Sequence, residues 1–206
     1  MFAKFEGLED EKRERILKAA MKEFSEKGYD AASTNEIVRD AGIAKGLLFH
    51  YFKSKKQLFF YLYDYCIERV TGEIYASDAT KQRDFFERLR IGQRTKMALL
   101  LRYPEMFKFM QAAYMEESHA IRPDMEKKNQ DFVNQAAGRF FQDIDTTKFR
   151  EGLDVQAAIN IVLWSMEGFT NQYLLRMKQA GEAFDFGKAL GDVDKYFGLF
   201  RESFYK

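Results

Sequence analysis

Residues 33–57, STNEIVRDAGIAKGLLFHYFKSKKQ, constrain the fold of this 206-residue chain more than any other stretch. Ser33 followed three residues later by Glu36 has capping-box spacing, so a helix is predicted from Thr34. Ile37, Val38 and Ala41 give that helix an apolar stripe, and Gly42 supplies the left-handed geometry that stops it. Ile43 then turns back toward the core. A second short helix is predicted from Lys45, with Leu48 and Phe52 on one face and Lys45, Leu47, Phe49, His50 and Tyr51 spread over the rest. Ser54 and Gln57 repeat the capping spacing, so a third helix opens with Lys55 and Lys56 in its first turn. Two short helices around a glycine turn are the helix-turn-helix arrangement, whose second helix enters the major groove of DNA.

Elsewhere the chain reads as helix throughout. Only two prolines interrupt long stretches of 3.6-residue periodicity, no alternating strand pattern survives, and 46% hydrophobic with 16% aromatic content can bury a substantial core. A first helix is predicted over residues 9–27, with Ile16, Leu17, Ala20, Met21 and Phe24 inward, Gly28 as its stop and Tyr29 packing back. A long helix over 55–75 carries Leu58, Leu62, Tyr65 and Cys66 inward, and residues 76–83 are polar and non-periodic, a hinge. Phe85 to Leu101 stripe a helix that ends at Tyr103, because Pro104 disfavours helical geometry before it. Met106, Phe107, Met110 and Tyr114 mark a short helix. Pro123 starts another, striped by Phe132, Val133, Ala136, Phe140 and Phe141 and running to about Asp145. Asp154 caps a long helix to Gly181 that is apolar on more than one face, and a last helix from about Asp192 shows Val193, Phe197, Phe200 and Phe204.

Net charge is +1, which alone announces no nucleic-acid binder. Locally, Arg39, Lys45, Lys53, Lys55 and Lys56 stand against Glu36 and Asp40, a patch of +3. Lys45 and Lys55 each open a helix, where the dipole disfavours a cation, so an anionic partner is expected. The single Cys66 excludes an internal disulfide framework and suits a reducing, cytoplasmic compartment. No apolar run is long enough for a bilayer, so no membrane partner is expected. With one cysteine and two histidines, no spaced metal-ligand set, no catalytic triad and no phosphate-cradling loop is found, so neither catalytic residues, a metal nor a cofactor is expected. Glu116, Glu117 and His119 read as a solvated loop.

Residues 41–58, AGIAKGLLFHYFKSKKQL, resemble in unbroken register the signature of the TetR family of bacterial repressors, A-G-V-S-K-G-T-L-Y-x-Y-F-x-S-K-x-x-L. The resemblance implies an all-α fold: a three-helix helix-turn-helix DNA-binding domain at 1–54 and a helical effector-binding and dimerisation domain at 55–206. It implies phosphate contacts from Ser33, Tyr51 and Lys55 and base-edge contacts from Lys45, Gly46, Leu47 and His50, with Thr34 and Phe49 completing the DNA-facing set. Three departures matter: Ala44 replaces a serine and gives up a helix cap, Leu47 replaces a small or hydroxyl residue, and Phe49 replaces a tyrosine and loses its hydroxyl. Leu47 is expected to read a thymine methyl.

The last two helices of TetR-like subunits form a four-helix dimer interface, which the breadth of the apolar face over 155–177 resembles. A homodimer would set two reading heads about 34 to 36 Å apart on a palindromic operator. The Met-, Phe- and Tyr-rich second half would enclose a small, largely apolar effector, at Leu89, Met110, Tyr114, Trp164, Phe169, Gln172 and Tyr173. A DNA-binding protein of the same fold governed by a protein partner, or by no ligand, is the alternative. An all-helical enzyme is the third reading, opposed by the missing catalytic constellation.

Overall fold

The computed structural model describes residues 2–180 and 186–206, apart from the side chains of 133–138, 174, 177–178, 186 and 190. The described residues are all-α, with one isolated β-bridge, Phe149 to Tyr205, and no strand. Ten α-helices follow in order among them: α1 (Ala3–Glu6), α2 (Asp10–Ala31), α3 (Thr34–Ala41), α4 (Lys45–Phe52), α5 (Lys55–Ala76), α6 (Phe85–Arg102), α7 (Pro104–Tyr114), α8 (Arg122–Phe140), α9 (Val155–Ala180) and α10 (Phe186–Phe204). No helix among them is long and apolar enough to cross a membrane. The chain packs as two compact units, Met1–Glu73 with Ala98–Arg139 and Ile74–Met97 with Phe140–Lys206.

Aromatic side chains hold the first unit together. Phe24 of α2, Phe59 of α5 and Phe109 of α7 meet at ring separations of 5.1, 5.3 and 6.3 Å, and Tyr29 stands edge-on to Phe59 at 5.5 Å. Phe24, Phe59 and Phe109 are fully buried, beside Ile16, Ile37, Leu48, Phe52 and Leu58. Edge-to-face pairs of this kind add about 0.5–1.5 kcal/mol each to plain area burial. Gly28 takes φ +70° and ψ 175° and breaks α2, as expected, but helical geometry resumes for residues 29–31 before the chain leaves it at Ala32. That last turn is held from outside. The Glu116 carboxylate accepts from Tyr29 N–H at 2.7 Å and Ser118 Oγ donates to Asp30 at 2.8 Å, while Glu116 also accepts from the N–H groups of Glu117 and Ser118. The loop after α7 is therefore a clamp on the end of α2 rather than the solvated loop its acidic residues suggested.

The second unit is centred on Phe85, Phe86, Phe149, Ile159, Val162, Val193, Phe197 and Tyr205. Arg88 is buried and donates to the carbonyls of Gln82 (2.5 Å), Phe140 (2.7 Å) and Gln142 (2.6 Å), which satisfies the carbonyl end of α8. That cap ends α8 at Phe140, short of the expected Asp145. Residues 76–83 are not an open hinge: Ser77 caps a 3₁₀ turn, Asp78–Lys81, that buries Ala79. The last helix begins at Phe186, earlier than its apolar stripe suggested. The expected stripe positions Val133 and Ala136, and the stop at Gly181, lie outside the described residues.

Candidate nucleic-acid interface

The helix-turn-helix forms as its spacing required. Ile37, Val38 and Ala41 of α3 are buried, and Gly42 at φ +64°, ψ 42° lets the N–H groups of Gly42 and Ile43 close on the carbonyls of Arg39 and Val38. Leu48 and Phe52 alone bury α4. Its other positions are open: Lys45, Gly46 and His50 are exposed, and Leu47, Phe49 and Tyr51 are partly so, as are Ser33 and Thr34 across the turn. Ala44 provides no side-chain cap, so the first turn of α4 presents backbone N–H groups without a local acceptor. A Cβ on Gly46 would meet nothing within 4 Å. Packing therefore does not demand glycine there, and its missing side chain leaves the helix start bare for a close approach.

Ser33 does not form the expected capping box. No side-chain bond caps α3, and the Ser33 N–H donates instead to Glu23 of α2 at 2.9 Å. Glu36 is engaged by Arg39, which also reaches Asp40 at 3.3 Å. At the head of α5 the serine half of the second box is made, Gln57 N–H to Ser54 Oγ at 3.1 Å. The Gln57 side chain does not reciprocate, and its Oε1 is buried without a partner.

Lys55, expected at a phosphate, is committed elsewhere. Its ammonium donates to the carbonyls of Tyr29 (2.8 Å), Asp30 (3.1 Å) and Ala32 (3.1 Å) and lies 4.7 Å over the Tyr29 ring. The partner required at this helix start is thus the carbonyl end of α2, and Lys55 braces the reading head rather than reaching outward. Lys56 bonds Asp124 (2.7 Å) and the carbonyl of Ala120 (2.9 Å). The +3 patch is correspondingly thinner at the surface, where Lys45 and Lys53 remain fully presented.

The N-terminal segment was not legible as part of this region. Phe5 of α1 is fully buried, 4.7 Å from Phe52 and 5.3 Å from Tyr61, and Phe2 lies 4.8 Å from Tyr61. Burial pushes the Tyr61 hydroxyl up to about 12. The signal was there as two phenylalanines three residues apart, but it is too short to register as a helix.

The residues expected to line an effector site do not all share one environment. Met110 and Tyr114 belong to the first unit, and Leu89, Trp164, Phe169, Gln172 and Tyr173 to the second. Tyr173 is buried and lies 5.8 Å from Phe169; Leu89 and Phe169 pack against the second core. Trp164 is 66% exposed and Gln172 is exposed as well. A cavity of about 220 Å³ in the first unit is lined by Tyr114, Met115, Glu116, Arg122, Met125 and Asn129 among others. It is smaller than the roughly 300–1,000 Å³ of usual small-molecule sites and strongly charged.

A buried three-helix head that displays one short helix over a glycine turn defines a helix-turn-helix DNA-binding regulator. Residues 16–62 match the family model described as bacterial regulatory proteins, tetR family. An HTH-type transcriptional regulator of Staphylococcus aureus is 26% identical over 149 residues, covering 68% of this chain and 80% of that protein. The fatty acid degradation regulator FadR of Bacillus halodurans superposes with a TM-score of 0.68 at 18% identity, over 91% of this chain and 97% of that one. FadR of Bacillus subtilis, solved in complex with stearoyl-CoA, superposes with a TM-score of 0.61 at 19% identity, over 91% and 96%. The helix-turn-helix head, residues 16–62, is thus that of the bacterial regulatory proteins of the tetR family, and the chain as a whole shares the fold of its solved neighbours.

Proposed function

We propose that the chain is a cytoplasmic, homodimeric repressor that holds a palindromic operator through α4 and releases it when a small, largely apolar effector binds. The observation that carries the dimer is a pair of exposed apolar faces, Ile161 and Trp164 on α9 and Tyr196 and Leu199 on α10, each pair three residues apart. Phe169 meets Tyr196 edge-on at 5.6 Å and ties the two helices together. Monomeric proteins seldom leave such surface in water, and a second copy covers it. Phe200 and Phe204 of α10 are partly buried against the core of their own unit.

On DNA, Lys45, Gly46 and Leu47 are assigned to base edges and Ser33, Thr34 and Tyr51 to the backbone. Phe49 gives van der Waals contact beside them. Functionally, 1–54 is the reading domain and 55–206 the effector and dimer domain, although the packing units divide the chain elsewhere. The effector is proposed to engage Leu89, Phe169 and Tyr173 of the second unit. The charged cavity near Tyr114 does not suit an apolar ligand. The stearoyl-CoA of the Bacillus subtilis neighbour makes a long-chain acyl thioester the first ligand to test.

Calorimetric titration of stearoyl-CoA is expected to show binding to free protein and binding at least about tenfold weaker to the operator complex, the same factor by which it weakens DNA binding. Equal affinities for both forms would exclude induction by this ligand.

A further inference from the structure

We propose that α1 is a third element of the nucleic-acid interface, and that Lys4 and His50 together hold one backbone phosphate of the duplex. The inference rests on the DNA-binding role of α4 argued above and adds a residue pair outside the helix-turn-helix.

The N-terminal segment is fixed to the reading head. Phe5 is driven fully into the aromatic group of Phe52 and Tyr61, with Tyr51 a further 5.6 Å neighbour, and Phe2 seals the same group from the side. Arg13 of α2 donates to the carbonyls of Glu6 (3.1 Å) and Leu8 (3.4 Å), which pins the exit of α1 as well. The full burial of Phe5, with Phe2 partly buried beside it, is what docks so short a helix. What the docking achieves is the placement of Lys4. Its side chain is exposed, and its ammonium lies 3.3 Å from Nε2 of His50 in the last turn of α4.

A lysine ammonium carries three donors and no acceptor. Its contact with Nε2 uses at most one of them and leaves two for another acceptor. No carboxylate pairs with Lys4 or His50 in any ion pair among the described residues, whereas Arg39 and Lys56 are each paired with acids and Lys55 is spent on carbonyls. Two nitrogen bases from separate elements, brought together without an acid between them on the face that α4 presents, form a seat for an external anion. On a duplex that anion is a phosphate, which takes the place of the direct contact and accepts from both the Lys4 ammonium and the Nε2–H of His50. This moves His50 from the base edges to the backbone. It also supplies a cation that the head needs, since phosphate contacts carry most of the affinity for DNA.

The test uses the full chain and a duplex selected from a random pool by the wild type, with a scrambled duplex beside it, in anisotropy titrations over a salt series. Lys4→Ala is expected to weaken both duplexes alike, by about three- to tenfold, and to reduce the slope of log K against log salt by roughly 0.9 for each lost phosphate, hence about 1.8 for a dimer. Lys4→Arg should keep the wild-type slope. His50→Ala, which removes no lysine or arginine charge, should weaken both duplexes alike while keeping most of the slope, and the double variant should show the slope of Lys4→Ala. Lys4 is exposed, so its variants keep the wild-type circular dichroism. An unchanged slope for Lys4→Ala would overturn the proposal, as would a changed base preference for His50→Ala. If Lys45→Ala loses binding while Lys4→Ala does not, only this inference falls. A wild type that selects no duplex would remove the DNA-binding reading and this inference together.

Discussion

Trp164→Glu combined with Leu199→Glu is expected to convert the protein to monomers in sedimentation and to weaken operator binding by at least about 100-fold. Both side chains are largely exposed in the single chain, at 66% and 60%, so the substitutions leave each subunit's own core intact. In a dimer the same positions would be desolvated, and an unpaired carboxylate buried there costs several kcal/mol. The loss on DNA follows from linkage of the two heads. Once one half-site is bound, the second binds intramolecularly, which typically raises avidity by 10² to 10⁴ without any new contact. A monomer forfeits that factor. Circular dichroism should stay at wild type, and a tight dimer that survived both charges would place the interface on another surface.

Glu116→Ala is expected to destabilise the first unit by about 3 kcal/mol. The carboxylate accepts N–H groups from Tyr29, Glu117 and Ser118 at 2.7, 3.1 and 2.9 Å, and bonds to a charged acceptor contribute roughly 1.5–3 kcal/mol each before the flexibility of the loop is discounted. Its loss also frees the turn 29–31, whose carbonyls orient Lys55 and so the start of α5. Hydrogen exchange should therefore quicken at the Tyr29 amide and through α3 and α4. Glu126→Ala, which removes only an exposed pair with Arg122, should change stability by less than about 0.5 kcal/mol. Unaltered exchange in Glu116→Ala would show that the loop after α7 does not hold the head.

Most of the fold was legible because periodicity and turn chemistry act locally. Gly42 requires a left-handed stop and takes one; Pro104 ends α6 and begins α7; Leu58, Leu62 and Cys66 of α5 are buried as their spacing required, with Tyr65 only partly so. The failures share a cause. Ser33 and Glu36 have the spacing of a cap, yet Glu23 from α2 takes the Ser33 N–H and Arg39 takes Glu36, so a long-range acceptor and a local ion pair outcompete the box. Lys55 matches a family position, but its neighbours at 29–32 come from a helix more than twenty residues away. The local charge count suffered in the same way, since counting cannot see which lysines are already bonded.

Selection from a random duplex pool shows whether α4 reads a palindromic DNA sequence as part of a dimer. The wild-type chain is expected to enrich an inverted repeat whose half-site centres lie about one helical turn or a multiple apart. Leu47→Ala should enrich the same repeat with altered preference at one position in each half, a thymine in the parent. Failure to enrich any sequence, or enrichment of a single unrepeated site that Leu47→Ala leaves unchanged, would contradict that reading.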